Sequence, residues 1–133
     1  GDWVLLAVSN SALGADVEFI NNSFSYLDVI DDHFSIDEAA YIKQSNSIDR
    51  FFMLWTRKEA LTKATGKGLD EDLKLIPSLE GVNFADSSII SSSAHLTVNS
   101  FKLDDQYMAS IATGGNSINE ISFWDIHFRE TLL

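Results

Sequence analysis

The start of the chain contains two apolar segments with different patterns. Trp3–Ser9 is a continuous apolar run that includes valine and leucine, a pattern typical of a buried strand. Ala15–Ile20 instead alternates, and neighbouring side chains of a strand point to opposite faces. One face of this second segment carries Ala15, Val17 and Phe19, and the other carries Asp16, Glu18 and Ile20. The sequence therefore predicts two strands, the second with two acids on one face.

The next part of the chain carries signals for two helices. Tyr26–Ile30 follows a polar loop and favours a short helix. Ser35 and Glu38 have the spacing of a capping box, in which each side chain accepts a hydrogen bond from the other residue's backbone N–H. This pair predicts a second helix that runs from Ile36 to about Gln44.

A longer helix is predicted from Ile48 to about Thr65. Ser47 is a suitable N-cap residue for it, because a serine hydroxyl can accept a hydrogen bond from a free N–H in the first turn. Gly66 and Gly68 follow, and glycine is the usual residue just beyond a helix end.

The second half of the chain is rich in β-branched residues and serine. His95–Leu103, Tyr107–Thr113 and Ile118–Phe128 are predicted strands. Asp104-Asp105 and Gly114–Asn116 supply the turns between them. The predicted fold class is therefore α+β, with an antiparallel sheet packed against two or three helices. We expect residues 1–133 to form a single domain.

Charge and composition exclude several classes of function. Nine basic residues stand against twenty acidic ones, and the net charge of −11 argues against nucleic-acid or anionic-membrane partners. The chain has no cysteine, which excludes disulfides, zinc fingers and thiol catalysis. Its apolar runs are too short to cross a bilayer, and it shows no signal-peptide pattern, so a cytoplasmic protein is expected. Four of the nine basic residues nevertheless lie between Arg57 and Lys67, which suggests an anionic ligand.

One acid lies where an apolar residue is expected. On the predicted long helix, Glu59 falls in line with Ile48, Phe52 and Trp55, and Lys58 and Lys63 flank it. A carboxylate on a core-facing stripe is costly unless something compensates it. Glu59 can form an ion pair with Lys63, four residues on. Alternatively, Glu59 is a ligand at a cleft, with the lysines directed at a bound anion.

The two acids of the predicted strand also allow either a structural or a ligand-binding interpretation. Asp16 and Glu18 share a face and repel each other unless they face water or share a cation. Together with Glu59 they form an all-oxygen donor set of the type that suits Mg²⁺ or Mn²⁺. Mg²⁺ usually completes its shell with water and substrate phosphates, which the neighbouring lysines could bind.

At this point the sequence resembles a known family. Gly14–Glu18 resembles the G-x-D-x-E strand motif of 4′-phosphopantetheinyl transferases of the surfactin-synthetase-activating type. Phe34–Glu38 is similar to the F-S-x-x-E that opens the family's next helix, and Trp55–Ala60 to its W-[ST]-x-K-E-[AS]. Lys63 follows at the family's distance, and Gly66–Leu69 matches its G-x-G-L ending. Four motifs in the right order are a specific signal, and they cover about half of the chain.

The resemblance implies the fold of these transferases and a reaction. In that reaction a serine of an apo acyl or peptidyl carrier protein attacks the phosphorus of coenzyme A that bears the pantetheine arm. The products are the holo carrier protein, used in fatty acid or polyketide biosynthesis, and adenosine 3′,5′-bisphosphate. The reaction depends on Mg²⁺, with coenzyme A as substrate.

The resemblance also implies residue roles. The expected metal ligands are Asp16, Glu18 and Glu59, and the expected phosphate-binding residues are Lys58, Lys63 and Lys67. Glu59 would also take the serine proton, and Lys63 would stabilise the transition state. Two of the family positions can also be explained without a role in the site. Glu38 can be a capping residue, and Lys67 can be a solvated cation at a helix end.

Family members of this type usually carry two similar halves in one chain, and the motifs here belong to the second half. The first half supplies much of the site for the adenine and 3′-phosphate, so where those groups bind is left open. Shorter relatives work as homotrimers with sites between subunits. We therefore expect either a homo-oligomer (a dimer or trimer) or a missing N-terminal half. The alternative function is a non-catalytic assembly or binding module that retains the transferase half-fold.

Overall fold

The computed structural model describes residues 3–45, 47–66, 73–79, 95–115 and 121–126. In chain order the elements are strand β1 (Leu13–Phe19), a 3₁₀ turn (Tyr26–Asp28), helices α1 (Ile30–His33), α2 (Ile36–Ser45) and α3 (Ile48–Thr65), a second 3₁₀ turn (Leu73–Leu75), and strands β2 (Leu96–Asp104) and β3 (Tyr107–Gly114). The predicted α+β class is confirmed.

The three strands form one antiparallel sheet in the order β1-β3-β2. Helix α3 packs across one face of this sheet, and Ser110 at the centre of β3 faces it. The Ser110 hydroxyl lies 2.8 Å from the hydroxyl of Thr56 on α3 and 2.9 Å from that of Ser100 on β2. A short polar chain therefore runs through the middle of the helix–sheet interface, between two apolar clusters.

The two apolar clusters lie at the two ends of α3. One contains the aromatic side chains of the helix's first half, and its buried members are Ile20, Ile30, Phe34, Ala39, Ile42, Phe51, Phe52, Leu54 and Met108. The other joins the last turns of α3 to the sheet, and its buried members are Ala60, Leu61, Ile76, Leu96, Val98 and Ala112. Phe51 and Phe52 of α3 are both buried in the first cluster.

The predicted alternation of β1 is correct, and it directs one face of the strand toward α3. Gly14 marks the closest approach of strand and helix. A Cβ atom at Gly14 would lie 2.0 Å from the carbonyl oxygen of Ala60 and 2.4 Å from the backbone nitrogen of Ala64. Only glycine permits this approach, which brings Asp16 and Glu18 next to the helix.

The helix ends follow the predicted signals. The Ser47 side chain accepts a hydrogen bond from the Arg50 N–H at 3.4 Å, which begins α3. Gly66 ends α3 in the left-handed conformation, with φ of 74°. At the start of α2 the Ser35 N–H donates to Glu38 Oε2 at 2.9 Å and the Glu38 N–H donates to Ser35 Oγ at 3.3 Å, so the capping box is confirmed.

Two predicted strands are not formed where the structure describes them. Trp3–Ser9 is not a strand, and its Val4, Leu6 and Val8 are 93%, 82% and 88% exposed. This segment is anchored near one end, where the Trp3 indole donates to Asp104 Oδ2 at 2.8 Å. A strand needs a partner for its backbone hydrogen bonds, and the pattern of apolar residues cannot supply one.

The predicted strand Ile118–Phe128 is also wrong for the residues that the structure describes. Residues 121–126 form no strand, and the other predicted positions lie outside the described residues. The Phe123 ring instead packs edge-on against Phe101 of β2, with ring centroids 4.7 Å apart. In the described part of the chain, no helix is long and apolar enough to cross a membrane.

Candidate functional site

The candidate site lies where β1 faces the second half of α3. Asp16 is buried there, and its Oδ1 accepts a hydrogen bond from Lys63 Nζ at 2.7 Å. Its other oxygen, Oδ2, is buried and has no hydrogen-bond partner among the described residues. An unsatisfied buried carboxylate oxygen is costly, and such groups are typical of sites that bind an ion or a ligand.

Glu18 lies two residues along the same face of β1. The indole N–H of Trp55 donates a hydrogen bond to its carboxylate. Burial raises the pKa of Glu18 above its usual value, and the negative charges of Asp16 and Glu59 raise it further. The sequence predicted Trp55 as a core residue, and its contact with the acid is a role that the pattern did not reveal.

Glu59 faces the two strand acids from α3 and is buried. Burial raises its pKa, the charge of Asp16 adds to this effect, and Lys63 partly offsets it. The sequence offered an ion pair between Glu59 and Lys63 as one explanation. Lys63 instead makes its direct ion pair with Asp16 across the helix–strand interface. The structure thus brings Asp16, Glu18, Glu59 and Lys63 together.

The carboxylates are close enough to perturb one another but not arranged as a compact metal centre. In the ranges that the structure describes, no group of three or more histidine or acidic side chains could hold a metal ion. The Lys63 ammonium neutralises part of the acidic cluster in this arrangement. Binding a divalent cation would require the acidic side chains to rotate toward one another. The unpaired Asp16 Oδ2 is the oxygen best prepared for such a ligand.

The structure does not bring Lys58 to this site. Its side chain is fully buried on another side of α3 and lies 2.8 Å from Glu38 Oε2. Arg57 donates to the hydroxyl of Ser100 at 2.7 Å and to the carbonyl of Ser78 at 3.0 Å. Lys67 lies outside the described residues, so its two interpretations remain as they were.

An open cleft of about 340 Å³ begins at Glu18 and extends along the aromatic end of α3. Its walls are mostly apolar, and they are formed by Glu18, Phe19, Asn21, Phe24, Val29, His33, Phe51, Phe52 and Trp55. His33 packs edge-on against Trp55, with ring centroids 5.5 Å apart. The sequence contains no sign of this cleft, because its walls come from four separate segments that no local pattern connects.

Comparison with known proteins identifies the family. The sequence model of the 4′-phosphopantetheinyl transferase superfamily matches residues 12–112, which include both β1 and α3. The chain belongs to this superfamily. Among curated proteins, it is similar to the 4′-phosphopantetheinyl transferase psf-1 of Bacillus pumilus, with 32% identity over 118 residues, or 85% of this chain and 49% of the relative.

A second relative is the 4′-phosphopantetheinyl transferase gsp of Aneurinibacillus migulanus. It is 34% identical over 71 residues, which cover 51% of this chain and 29% of that protein. The chain therefore spans half or less of the curated transferases that it matches. The resemblance read from the four motifs is confirmed at the level of the superfamily and of its surfactin-activating type.

Proposed function

We propose that this chain is the catalytic half of a 4′-phosphopantetheinyl transferase. It would transfer the phosphopantetheine arm of coenzyme A to a serine of an apo acyl or peptidyl carrier protein. The observation that carries the proposal is the cluster of Asp16, Glu18 and Glu59 beside Lys63, with one buried Asp16 oxygen unpaired. Membership of the superfamily supports the choice of reaction.

In the proposed step, the serine oxygen forms a bond to the phosphorus that carries the pantetheine arm. The bond from this phosphorus to the oxygen of the departing adenosine 3′,5′-bisphosphate breaks. Glu59 accepts the serine proton, as a general base held in place on α3. Lys63 has a side chain that is 50% exposed, so its ammonium can leave Asp16 and meet a phosphate oxygen.

The proposed cofactor is Mg²⁺, held by Asp16, Glu18 and Glu59. An all-carboxylate donor set suits this hard cation, and the unpaired Asp16 Oδ2 fits a metal ligand. When bound, Mg²⁺ would neutralise charge on the pyrophosphate of coenzyme A. It would also relieve the mutual repulsion that raises the pKa of Glu18. Lys67 remains a candidate for a further phosphate contact.

The chain is also proposed to work with a second half, either a preceding half-domain or another copy in a dimer or trimer. It spans about half of the psf-1 transferase, at 49% of that protein's length. Val4, Leu6 and Val8 expose apolar side chains that a neighbouring half could cover. This neighbour would supply the contacts to the adenine and 3′-phosphate. We expect the reaction in the cytoplasm, in fatty acid or polyketide biosynthesis.

The deciding experiment is mass spectrometry of an apo carrier protein incubated with the chain, coenzyme A and Mg²⁺. The expected result is a carrier serine that gains one phosphopantetheine group only when all components are present. Glu59→Gln should abolish this gain, whereas Asp32→Asn, an exposed acid on α1, should leave it unchanged. Equal labelling by the wild type and the Glu59 variant would overturn the proposal.

A non-catalytic binding module is the second candidate. The observation that favours it is the Lys63–Asp16 ion pair, which compensates the acidic cluster without a metal. This candidate predicts no Mg²⁺-dependent binding of coenzyme A in calorimetry and no labelling of any carrier. Mg²⁺-dependent heat of binding that is lost in Asp16→Asn would exclude it.

A further inference from the structure

The buried ammonium of Lys58 is the strongest feature that the proposed chemistry leaves unused. Lys58 precedes Glu59 in the sequence, yet its side chain is fully buried away from the acidic cluster. Its Nζ lies 2.8 Å from Glu38 Oε2 and donates to the carbonyl oxygens of Leu73, at 2.8 Å, and Ile76. The ammonium also lies 5.2 Å from the centre of the Phe34 ring.

Both carboxylate oxygens of Glu38 also have hydrogen-bond partners. Its Oε2 accepts the Ser35 N–H as well as the Lys58 ammonium. Its Oε1 accepts both the backbone N–H and the hydroxyl of Ser78, each at 2.7 Å. These bonds outweigh the cost of burial, and the pKa of Glu38 lies below its ordinary value. One ion pair therefore connects α2, α3 and residues 73–79.

We propose that Lys58 is a positioning residue, whose buried ion pair with Glu38 sets the rotation of α3 so that Glu59 and Lys63 face Asp16. The inference rests on the proposed function, because it concerns the geometry of that same site. Successive residues of an α-helix are separated by about 100° around its axis. Fixing Lys58 against α2 therefore also fixes the direction of Glu59, and that of Lys63 just over one turn later.

The hydrogen bonds of Lys58 support a positioning role rather than contact with substrate. A lysine ammonium has three N–H donors, and among the described residues three acceptors lie within reach of Lys58. Reaching a phosphate would remove it from all three and leave the carboxylate of Glu38 buried without its cation. Such a rearrangement is strongly unfavourable, because an uncompensated buried charge is far costlier than a paired one.

The test compares Lys58→Met with the double variant Glu38→Gln/Lys58→Met. The single variant leaves a buried carboxylate unpaired, so we expect a lower midpoint of thermal unfolding and a kcat for carrier labelling reduced by about tenfold or more. In the double variant, the amide oxygen introduced at position 38 can still accept from Ser78, and the amide NH₂ group can replace one lysine donor, although it can no longer accept from the Ser35 N–H. We expect the double variant to recover kcat to within about threefold of wild type, with the KM for coenzyme A unchanged.

A phosphate-binding role for Lys58 would give a different pattern. The double variant would then fold stably but keep the low kcat, or the raised KM, of the single variant, and this result would overturn the inference. Glu38→Gln alone provides a second measurement, since it weakens the pair while keeping the Lys58 charge. Positioning predicts a lower kcat in this variant, whereas unchanged kinetics would contradict positioning. Lys43→Met, which removes an exposed lysine of α2, is the control with wild-type kinetics.

Binding of Mn²⁺ alone separates failure of this inference from failure of the proposed function. If the wild type labels no carrier protein even when the second half is supplied, the proposed reaction is wrong, and metal affinity still reports on the arrangement of Asp16 and Glu59. Positioning then predicts weaker Mn²⁺ binding in Lys58→Met and restored binding in the double variant. Equal Mn²⁺ affinity in all three proteins would overturn the inference.

Discussion

Lys63 Nζ lies 2.7 Å from Asp16 Oδ1, across the contact between α3 and β1. The two side chains differ in exposure, because that of Lys63 is 50% exposed and that of Asp16 only 8%. The lysine can therefore move into solvent while the aspartate stays in place. In the proposed reaction, this asymmetry would allow one ammonium to compensate the acidic cluster before substrate binds and to contact a phosphate afterwards.

The first prediction concerns Asp16→Asn. The substitution removes the fixed partner of Lys63 and a proposed metal ligand, so we expect carrier labelling to fall by about 10²-fold or more. The free energy of unfolding should change little, because the lost ion pair is offset by relief of repulsion with Glu18 and Glu59. Steady-state labelling and urea unfolding measure the two effects. A large loss of stability would show that Asp16 is mainly structural.

The second prediction concerns Glu59→Gln. Because Glu59 is proposed to serve as both ligand and base, its loss should reduce kcat more than Asp16→Asn does, by about 10³-fold or more. The fold should persist, since a buried amide is less costly than a buried carboxylate. Circular dichroism and labelling kinetics test the two statements. Retention of more than about a tenth of wild-type kcat would exclude Glu59 as the base.

Local sequence signals predicted the elements that build the site. Ser47 and Gly66 marked the ends of α3 because capping depends on residues next to the helix end. The alternation in β1 identified which side chains face α3. These signals concern neighbours in sequence, whereas the meeting of Asp16 and Glu59 was expected from their shared donor chemistry and from the family resemblance.

Partners distant in sequence were not predictable in the same way. Lys58 was expected to bind a phosphate, but in the structure it pairs with Glu38. This pair depends on how α2 packs against α3, which the sequence around Lys58 does not reveal. Ser78 completes that pair from forty residues beyond Glu38. The predicted strand Trp3–Ser9 failed for a related reason, because apolar composition does not reveal whether a pairing strand is present.

The third prediction follows from the raised pKa values of Glu18 and Glu59. Burial, followed by the charge of Asp16, raises both from an ordinary value of 4.5. Each carboxyl therefore takes up its proton at a higher pH when the protein is folded than when it is unfolded. Their ionisation thus costs stability above the folded pKa, and this cost is relieved as the pH falls through that value.

Carboxyl ¹³C NMR titration in the absence of metal measures both groups directly. In Asp16→Asn we expect both pKa values to fall toward 4.5, because a negative neighbour has been removed. Mn²⁺ affinity of the wild type should also weaken as the pH falls toward 4.5, since protons compete with the metal. Titration curves that are identical in the two proteins would contradict the shared electrostatic site.

The fourth prediction concerns the glycine that lets β1 approach α3. In Gly14→Ala the new methyl group would lie 2.0 Å from the Ala60 carbonyl oxygen and 2.4 Å from the Ala64 nitrogen. Both are backbone atoms, so strand and helix must separate, and we expect a loss of about 1–3 kcal/mol in unfolding free energy. This movement should also carry Asp16 away from Glu59 and weaken Mn²⁺ binding. Gly114→Ala is the matched control, because its nearest contact is Ala12 Cβ at 3.4 Å. Equal stability of the two variants would show that the close approach at Gly14 does not constrain the site.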